Sequence, residues 1–600
     1  MTRLAQVVFA LLVVASLGAF FVAQELKSQP SVIQDFQLRW PVVSPNADSR
    51  NDVQKVRFRL KEADTVDVAI VDGDGDVVRE IVSGGRLAAY RYLQPTPEWD
   101  GSDAGGHAAP DGVYRVRIAL REQGRSVVVP DAFEVDRTPP SPMVVAVGPL
   151  KTPGPELLPN AAGRPAVVHL NAPARNGRAR LLVFRTDVTP ALPAAERAIP
   201  RGADVVTWNG NDDRGHPVPP GSYVAVAEVR DAAGNIGTSV PLDRRGLPQA
   251  VYGRRLPGRG GITVRRLAAQ PPLLPARIGG GRIGLLTDAR GREYDWSVRR
   301  VGGATIRRGR AARARVALKP PGGDSGVYLF DVRRGARSAA VPFAVDDARR
   351  HRVLVVLPLM TWQGRNPVDD DGDGLPNTLA AGQGVKLARV LARPLPATFA
   401  AREAPVLIHL DRNRHRYDVT TDVALALGRG PRLDGHSGVL VAGDAGWLPR
   451  DVQRRLRRFV TRGGTLAALG VGSFQRQARI TKRLRLVDPT PPASADLWGS
   501  KVSPPRRGAY DITAFGDQID LFRGTDGAFV GFTVAEETAS TGRARLLASA
   551  VTPDGRTVMV ALRVGKGTLI RFGLPELPGR LAGDAEIQAL MERTWELLSR

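Results

Sequence analysis

Two stretches of the chain align without a gap: "WDGSDAGGHAAPDGVYRVRI" from Trp99 and "WNGNDDRGHPVPPGSYVAVA" from Trp208. Trp, Gly, Asp, Gly, His, Pro, Gly and Tyr recur at the same offsets 109 residues apart, a period long enough to be a whole domain. In the first copy Pro110 and Asp111-Gly112 punctuate a turn. After it Tyr114, Val116, Ile118 and Leu120 alternate with Arg115 and Arg117, which gives a strand one buried face and one wet face. Upstream, Val56, Phe58 and Leu60 alternate with Arg57 and Arg59 in the same way. Short alternating strands joined by turns predict a β-sandwich of about 100 residues, made twice. The two copies are placed at residues 31–140 and 141–246.

The repeated Trp-x-Gly, polar loop and Pro-x-Gly-x-Tyr pattern resembles the immunoglobulin-like domain of flagellar hook assembly proteins (FlgD-like). "SPNADSRND" at 44–52 is similar to the acidic loop that opens such domains, with Ala47 and Ser49 replacing glycines. The resemblance implies extracellular modules that space or adhere and carry no catalytic residues. "DGDGD", Asp72 to Asp76, has the look of a calcium loop, but it lies between "VDVAIV" and "VVREIV" and reads as a hairpin turn. Residues 255–346 end in "SGVYLFDVRRGARSAAVPFAV", paired strands again, and predict a third sandwich. Two motifs there are decoys. "GGGRIG", Gly279 to Gly284, opens no helix after a strand, and "GDSG", Gly323 to Gly326, is the turn before "VYLF".

From Arg352 the pattern changes, and a fifth segment is placed at 350–600. "VLVVLPL", "GVLVAG" and "TLAALGVG" are apolar on both faces, as buried parallel strands are. Between the last two, Val452, Leu456, Phe459 and Val460 form one stripe of a helix. Arg454, Arg455, Arg457 and Arg458 form the other face, and Gly463-Gly464 stops the helix. "AEIQALMERTWELL" predicts a closing helix with Ile587, Leu590, Met591 and Trp595 inward. This grammar predicts an α/β domain with a flavodoxin-like open sheet. Ligands of such sheets sit beyond the carboxyl ends of the strands, where Trp362, Gln363, Asn366, Asp444 and Ser473 are the expected rim residues.

"TWQGRN", "RYDVTTDVALA", "GVLVAGDAGWLPRDVQRRLRRFVTRGGTLAALG" and "VGKGTLIRFGLPEL" resemble the C-terminal domain of the N,N-dimethylformamidase large (beta) subunit family, itself similar to class I glutamine-amidotransferase folds. The resemblance implies amide hydrolysis at a mononuclear iron held by tyrosine and glutamate oxygens. Where relatives read "TWQAYN", Arg365 takes the tyrosine position; where they read "GHDEYWS", Asp444, Gly446 and Trp447 stand for His, Glu and Tyr. Arginine donates only, and tryptophan offers no anionic oxygen, so the resemblance carries over without its iron ligands. The chain has no cysteine for a thiol nucleophile and no G-x-S-x-G elbow. His351, His409, His415 and His436 show no metal-site spacing and read as scattered or satisfied histidines.

In "DDDGDGLPN", Asp369, Asp371 and Asp373 fall at positions 1, 3 and 5 of an EF-hand-type loop, Gly374 at 6, Leu375 at 7 and Asn377 at 9. Ala380 stands where the bidentate glutamate belongs. A weakly held structural calcium and a solvated turn both remain open.

The first residues bear on compartment. Val7 to Ala23 are seventeen uncharged residues after Arg3, close to the length that spans a bilayer core. A signal anchor over 1–30 is expected, with cleavage of a signal peptide as the alternative. Either places the rest outside the cytoplasm, membrane-anchored or secreted. The net charge of +25 suits an anionic partner. The arginines are scattered without aromatic interleaving, which favours an envelope polymer, a lipid surface or an unknown ligand over nucleic acid. The reading is an extracytoplasmic, ligand- or partner-binding protein whose formamidase-like domain lacks its usual iron ligands. Alternatives are a metal-dependent amidohydrolase and an envelope or adhesion scaffold.

Overall fold

Strand outweighs helix in the computed structural model, 44% against 11%. The structure describes Val13, Ser16 and the chain from Val32 onward, apart from residues 149–155, 160–164, 172–177, 189, 250–258, 266, 288–292, 348, 372 and 541–543. The anchor expected at 1–30 lies outside the described residues except for those two positions. Among the described residues no helix is long and apolar enough to cross a membrane.

Between Ile33 and Val135 a three-stranded and a five-stranded sheet enclose one apolar core that includes Val56, Phe58, Val68, Trp99, Tyr114 and Phe133. The same construction follows. A three-stranded sheet, Met143–Val147, Ala166–Asn171 and Val205–Trp208, shares a core with a six-stranded sheet. The centre of the latter is Gly221–Arg230, paired with Arg178–Arg185 and with Gly261–Arg265.

The repeat has a physical reason. Trp99 Nε1–H donates to the carbonyl of Ser102 and Trp208 Nε1–H to that of Asn211, both at 2.8 Å. Tyr114 donates to the Pro110 carbonyl and Tyr223 to that of Pro219, both at 2.6 Å. Asp103 Oδ1 accepts from the N–H groups of Gly105 and His107, and Asp212 Oδ1 from those of Arg214 and His216. Each copy thus buries a large indole while satisfying its one donor, and the aspartate shapes the loop between. "DGDGD" is a turn: Gly75 N–H bonds the Asp72 carbonyl between the antiparallel strands Asp64–Val71 and Val77–Leu87.

A third pair of sheets, three-stranded and five-stranded, lies between Ala269 and Asp346 around Tyr328, Phe330 and Phe343. Beyond it the chain builds one nine-stranded sheet. Its order is Asp418–Thr421, Val353–Leu357, Gly438–Val441, Thr465–Ala468, Gly567–Phe572, Thr557–Val564, Arg545–Val551, Arg506–Asp517 and Ala528–Ala535. The first five run parallel; the remaining pairings are antiparallel.

The expected fold class is therefore corrected. A flavodoxin-like, amidotransferase-like α/β domain does not form, because the sheet is mixed and the chain as a whole is mostly β. From Ala468 to Gly567 the path runs through strands rather than a crossover helix. The apolar runs at 353–357 and 438–441 are wholly buried, but buried apolar strands are equally compatible with a mixed sheet covered on both faces.

The sandwiches are tied to this sheet. Arg300 forms a two-point ion pair with Asp411 at 2.6 and 2.8 Å, and Ser325 donates to the Tyr417 carbonyl at 2.6 Å. From the second sandwich, Thr186 donates to the Gly374 carbonyl at 2.5 Å and Ser222 to that of Pro367 at 3.1 Å.

Trp208 is fully buried. Trp208→Ala should destabilise its sandwich by about 3–5 kcal/mol, the usual range for deleting a core tryptophan. Denaturant unfolding followed by circular dichroism measures this; a loss below about 1 kcal/mol contradicts the assigned packing.

Candidate functional site

Three loops leave the carboxyl ends of Val353–Leu357, Gly438–Val441 and Thr465–Ala468 and meet as tightly as backbone allows. A Cβ on Gly470 would sit 2.2 Å from the Gly443 carbonyl oxygen, and one on Gly443 would sit 2.3 Å from Glu403 Oε1. Gly470 therefore needs to be glycine against backbone, and a side chain at Gly443 would displace the buried Glu403 carboxyl.

At this crossing Asp444 is buried. Arg365 Nη1 donates to its Oδ2 at 2.7 Å, Arg402 donates to its Oδ1, and the Val471 N–H reaches Oδ1 at 3.1 Å. Glu403 is buried beside it. Trp362 Nε1–H donates to Glu403 Oε1 at 3.0 Å and Thr398 at 2.9 Å, while Oε2 has no partner. Burial pushes the Glu403 carboxyl above the ordinary glutamate range, with the charge of Asp444 adding to it.

Glu536 is likewise raised by burial, against the pull of Arg571. It accepts from the Gly472 N–H at 2.5 Å. Arg571, buried on the strand Gly567–Phe572, donates to Asp496 at 2.6 Å. Glu403, Arg402, Glu536, Asp496 and Arg571 were not on the expected rim. They are spread over 402–571 with no local motif; burial marks Glu403, Glu536, Asp496 and Arg571, and Arg402 is only partly buried.

The expected rim residues divide. Trp362 and Asp444 belong to this cluster. Gln363 and Asn366 are buried props: Gln363 donates to the Arg389 carbonyl at 2.9 Å, and Asn366 donates to Gln363 Oε1 and accepts from the Ala392 N–H, both at 2.9 Å. Ser473 accepts from the Ala445 N–H at 3.0 Å and donates to the Gly470 carbonyl at 2.8 Å, so its hydroxyl braces a turn. A cavity of about 280 Å³ adjoins the cluster, lined by Trp362, Arg365, Arg393, Leu395 and Asp187 among others.

The iron implied by the resemblance does not fit these residues. Asp444 has spent its oxygens on two guanidinium groups, and the buried indole of Trp447 lies beneath the guanidinium groups of Arg365 and Arg476 at 5.9 and 5.0 Å from the ring centre. The buried phenol of Tyr417 donates to Asp411 in the junction with the third sandwich. Arginine supplies no lone pair and tryptophan no anionic oxygen, so the donor set lacks the phenolates, and only Glu403 Oε2 is left without a partner among the buried carboxylate oxygens of this cluster.

The acidic loop lies next to this rim. One oxygen each of Asp369, Asp371 and Asp373 lie within 4.8 Å of one another, an arrangement suited to a hard cation. Gly374 N–H bonds Asp369 Oδ2 at 2.9 Å, and Asn377 Nδ2 donates to Asp371 Oδ2 at 3.1 Å. The Leu375 side chain is buried with Phe184, Val224 and Val226 of the second sandwich. Burial pushes the Asp373 carboxyl up to about 6, and the nearby Asp371 adds to this.

Beneath the rim Asp422 is buried and accepts the N–H groups of Met360 at 3.0 Å and Val423 at 2.8 Å. It fixes the short helix Leu359–Gly364, which carries Trp362.

Residues 313–490 match the family profile "N,N-dimethylformamidase beta subunit-like, C-terminal". No curated protein matches the chain. Among solved structures, it is similar to an exo-beta-1,4-mannosidase from Opitutaceae bacterium strain TAV5: 14% identity, TM-score 0.26, covering 42% of this chain and 36% of that one. A beta-galactosidase from Bacillus circulans sp. alkalophilus gives 13% identity and TM-score 0.25, covering 41% and 31%. The chain spans about a third of the length of these structures, and overlaps so slight carry no argument about fold or activity.

Burial pushes the Asp422 carboxyl up to about 8, against about 3.9 for an unfolded aspartate. The folded chain keeps a proton that the unfolded chain gives up. This contribution to stability is complete below about pH 4 and is lost as pH rises toward 8. Asp422→Asn should therefore gain on the wild type between about pH 5 and pH 8, by at most about 1.4 kcal/mol per unit. Denaturation across that range measures the gain; a difference independent of pH excludes it.

Proposed function

We propose that this chain is an extracytoplasmic multidomain binding protein that captures a phosphate-bearing envelope polymer. The uncharged segment Val7–Ala23 supports export, and the paired Trp and Tyr loops support FlgD-like spacer modules. The acidic loop, with a weakly held calcium, would prop the rim against the second sandwich. The formamidase-like region would serve as a scaffold, because Asp444 is locked between Arg365 and Arg402.

The observation that carries the reading is a cavity of about 900 Å³ between the loop after Asp422–Leu427 and the helix Arg450–Thr461. Arg429, Arg432, Arg455, Arg458 and Arg462 line it, with Asp434 the one acidic side chain among its lining residues. Arg455 pairs with Asp451 at 3.0 Å; the other four have no ion-pair partner among the described residues. A basic surface as such is common in so arginine-rich a chain. The contrast is one of degree with a cavity of about 640 Å³ in the second sandwich, where two glutamates stand among four arginines and both answer Arg180. Unanswered guanidinium groups around a concavity focus a positive field and present paired N–H donors that match phosphate oxygens.

Titration calorimetry with pyrophosphate should give saturable binding that weakens as salt rises. Arg458→Gln with Arg462→Gln should weaken it at least about ten-fold. Absence of binding at physiological salt, or equal binding by the double variant, refutes the reading.

A second reading, amide hydrolysis at a rearranged centre, draws on the family match over 313–490 and on the unpartnered oxygen of buried Glu403. Its check is turnover of small amides by the purified chain. The first reading predicts no turnover above background, and turnover abolished by Glu403→Gln would establish the second.

A further inference from the structure

Two of the seven histidines converge on one buried carboxylate. His351 Nδ1 lies 2.7 Å from Asp418 Oδ1, and His436 Nε2 lies 2.8 Å from Asp418 Oδ2. Asp347 Oδ1 is 3.9 Å from the same His351 nitrogen. One donor atom each of Asp347, His351 and Asp418 fall within 4.8 Å of one another, and the side chains are only 8%, 10% and 6% exposed. This cluster lies at the amino ends of the parallel strands, opposite the rim described above. His351 precedes Val353–Leu357, Asp418 opens Asp418–Thr421, and His436 precedes Gly438–Val441.

We propose that Asp347, His351 and Asp418 hold a divalent first-row transition-metal ion at the seam between the third sandwich and the nine-stranded sheet.

Bonds of about 2.0–2.2 Å from such an ion to imidazole nitrogen and carboxylate oxygen leave neighbouring donors about 3 Å apart and opposed donors about 4 Å apart. The separations of 2.7 and 3.9 Å bracket these values, and with all three donors within 4.8 Å of one another, closing on an ion takes shifts of about an ångström or less. The ion would replace the proton between His351 Nδ1 and Asp418 Oδ1. His436 would then be the orienting partner: its Nδ1 has no partner, so a neutral ring carrying its proton on Nε2 donates to Asp418 Oδ2 and aims the other oxygen at the ion. A mixed imidazole and carboxylate set selects zinc, cobalt or nickel over calcium and magnesium, which prefer all-oxygen sites such as the acidic loop. Asp347 and His351 belong to the link between Arg337–Asp346 and Val353–Leu357, so the ion would clasp that link to the neighbouring strand.

The test uses the full chain, stripped with chelator and titrated with Co²⁺ while its visible absorption is followed. Asp347→Asn is the informative variant. Asp347 stands outside the two close contacts on Asp418, and asparagine can still accept the Arg349 N–H that Asp347 Oδ1 receives at 2.9 Å. The expectation is one equivalent of Co²⁺ with a ligand-field band, binding at least about ten-fold weaker in Asp347→Asn and unchanged in Asp371→Asn. On the wild type alone, Zn²⁺ should shift the ring resonances of two histidines. No stoichiometric binding, equal affinity in Asp347→Asn, loss in Asp371→Asn or unmoved histidine resonances each overturn the proposal.

Discussion

A carboxylate removed from water must be answered by charge, and Asp444 is answered twice. Desolvating one such group costs several kcal/mol, and the cost is met only when its oxygens are saturated with donors. Arg365 follows the first strand of the parallel set, Arg402 precedes the helix Glu403–Arg412, and Val471 follows the fourth strand. One side chain thus fixes the mutual positions of three otherwise independent loops. The cluster beside it repeats the logic, with Arg571 held against Asp496 and near Glu536. The same saturation commits both oxygens of Asp444 to donors, while the neighbouring Glu403 keeps one oxygen without a partner. The match to the N,N-dimethylformamidase beta subunit-like profile over 313–490 therefore sits alongside an aspartate already held by two guanidinium groups.

The β-rich half of the chain obeys a simpler constraint. Each repeat buries a tryptophan, gives its N–H to a carbonyl three residues on, and turns a tyrosine hydroxyl back onto a carbonyl four residues before it. Because these bonds are local, their residues recur at fixed offsets, and that is why the duplication can be read at all. The two copies also touch: Asn235 donates to the Asp136 carbonyl at 2.8 Å, and Ser44 donates to Asn235 at 2.5 Å.

What the sequence exposes is what is local. Alternation located strands such as Gly112–Leu120, "DGDGD" announced its turn, and the arginine face of Arg450–Thr461 was visible from spacing. What it hides is pairing at a distance. Arg506–Asp517 is exposed along most of its length and gives little apolar signal, yet it sits inside the nine-stranded sheet as one of its antiparallel members. Glu403, Glu536 and Arg571 look like ordinary surface charges until the sheet buries them. His351 and His436 are 85 residues apart, and no motif reader would join them. Asp444 was legible as a rim residue from strand-end logic; that its partners would be Arg365 and Arg402 was not.

The docking of the acidic loop on the second sandwich bears on how this architecture can be divided. A Cβ on Gly374 would meet Val224 at 2.9 Å, and Leu375 lies among residues from around 184, 224 and 240. A wall of the rim is thus supplied by a segment some 150 residues earlier in the chain. Shortening the polypeptide at the start of the nine-stranded sheet would strip Leu375 of its apolar cover and leave Gly374 without its backing strand. The terminal portion is consequently not a portable cassette, because the second sandwich supplies apolar cover on which the acidic loop beside the rim rests.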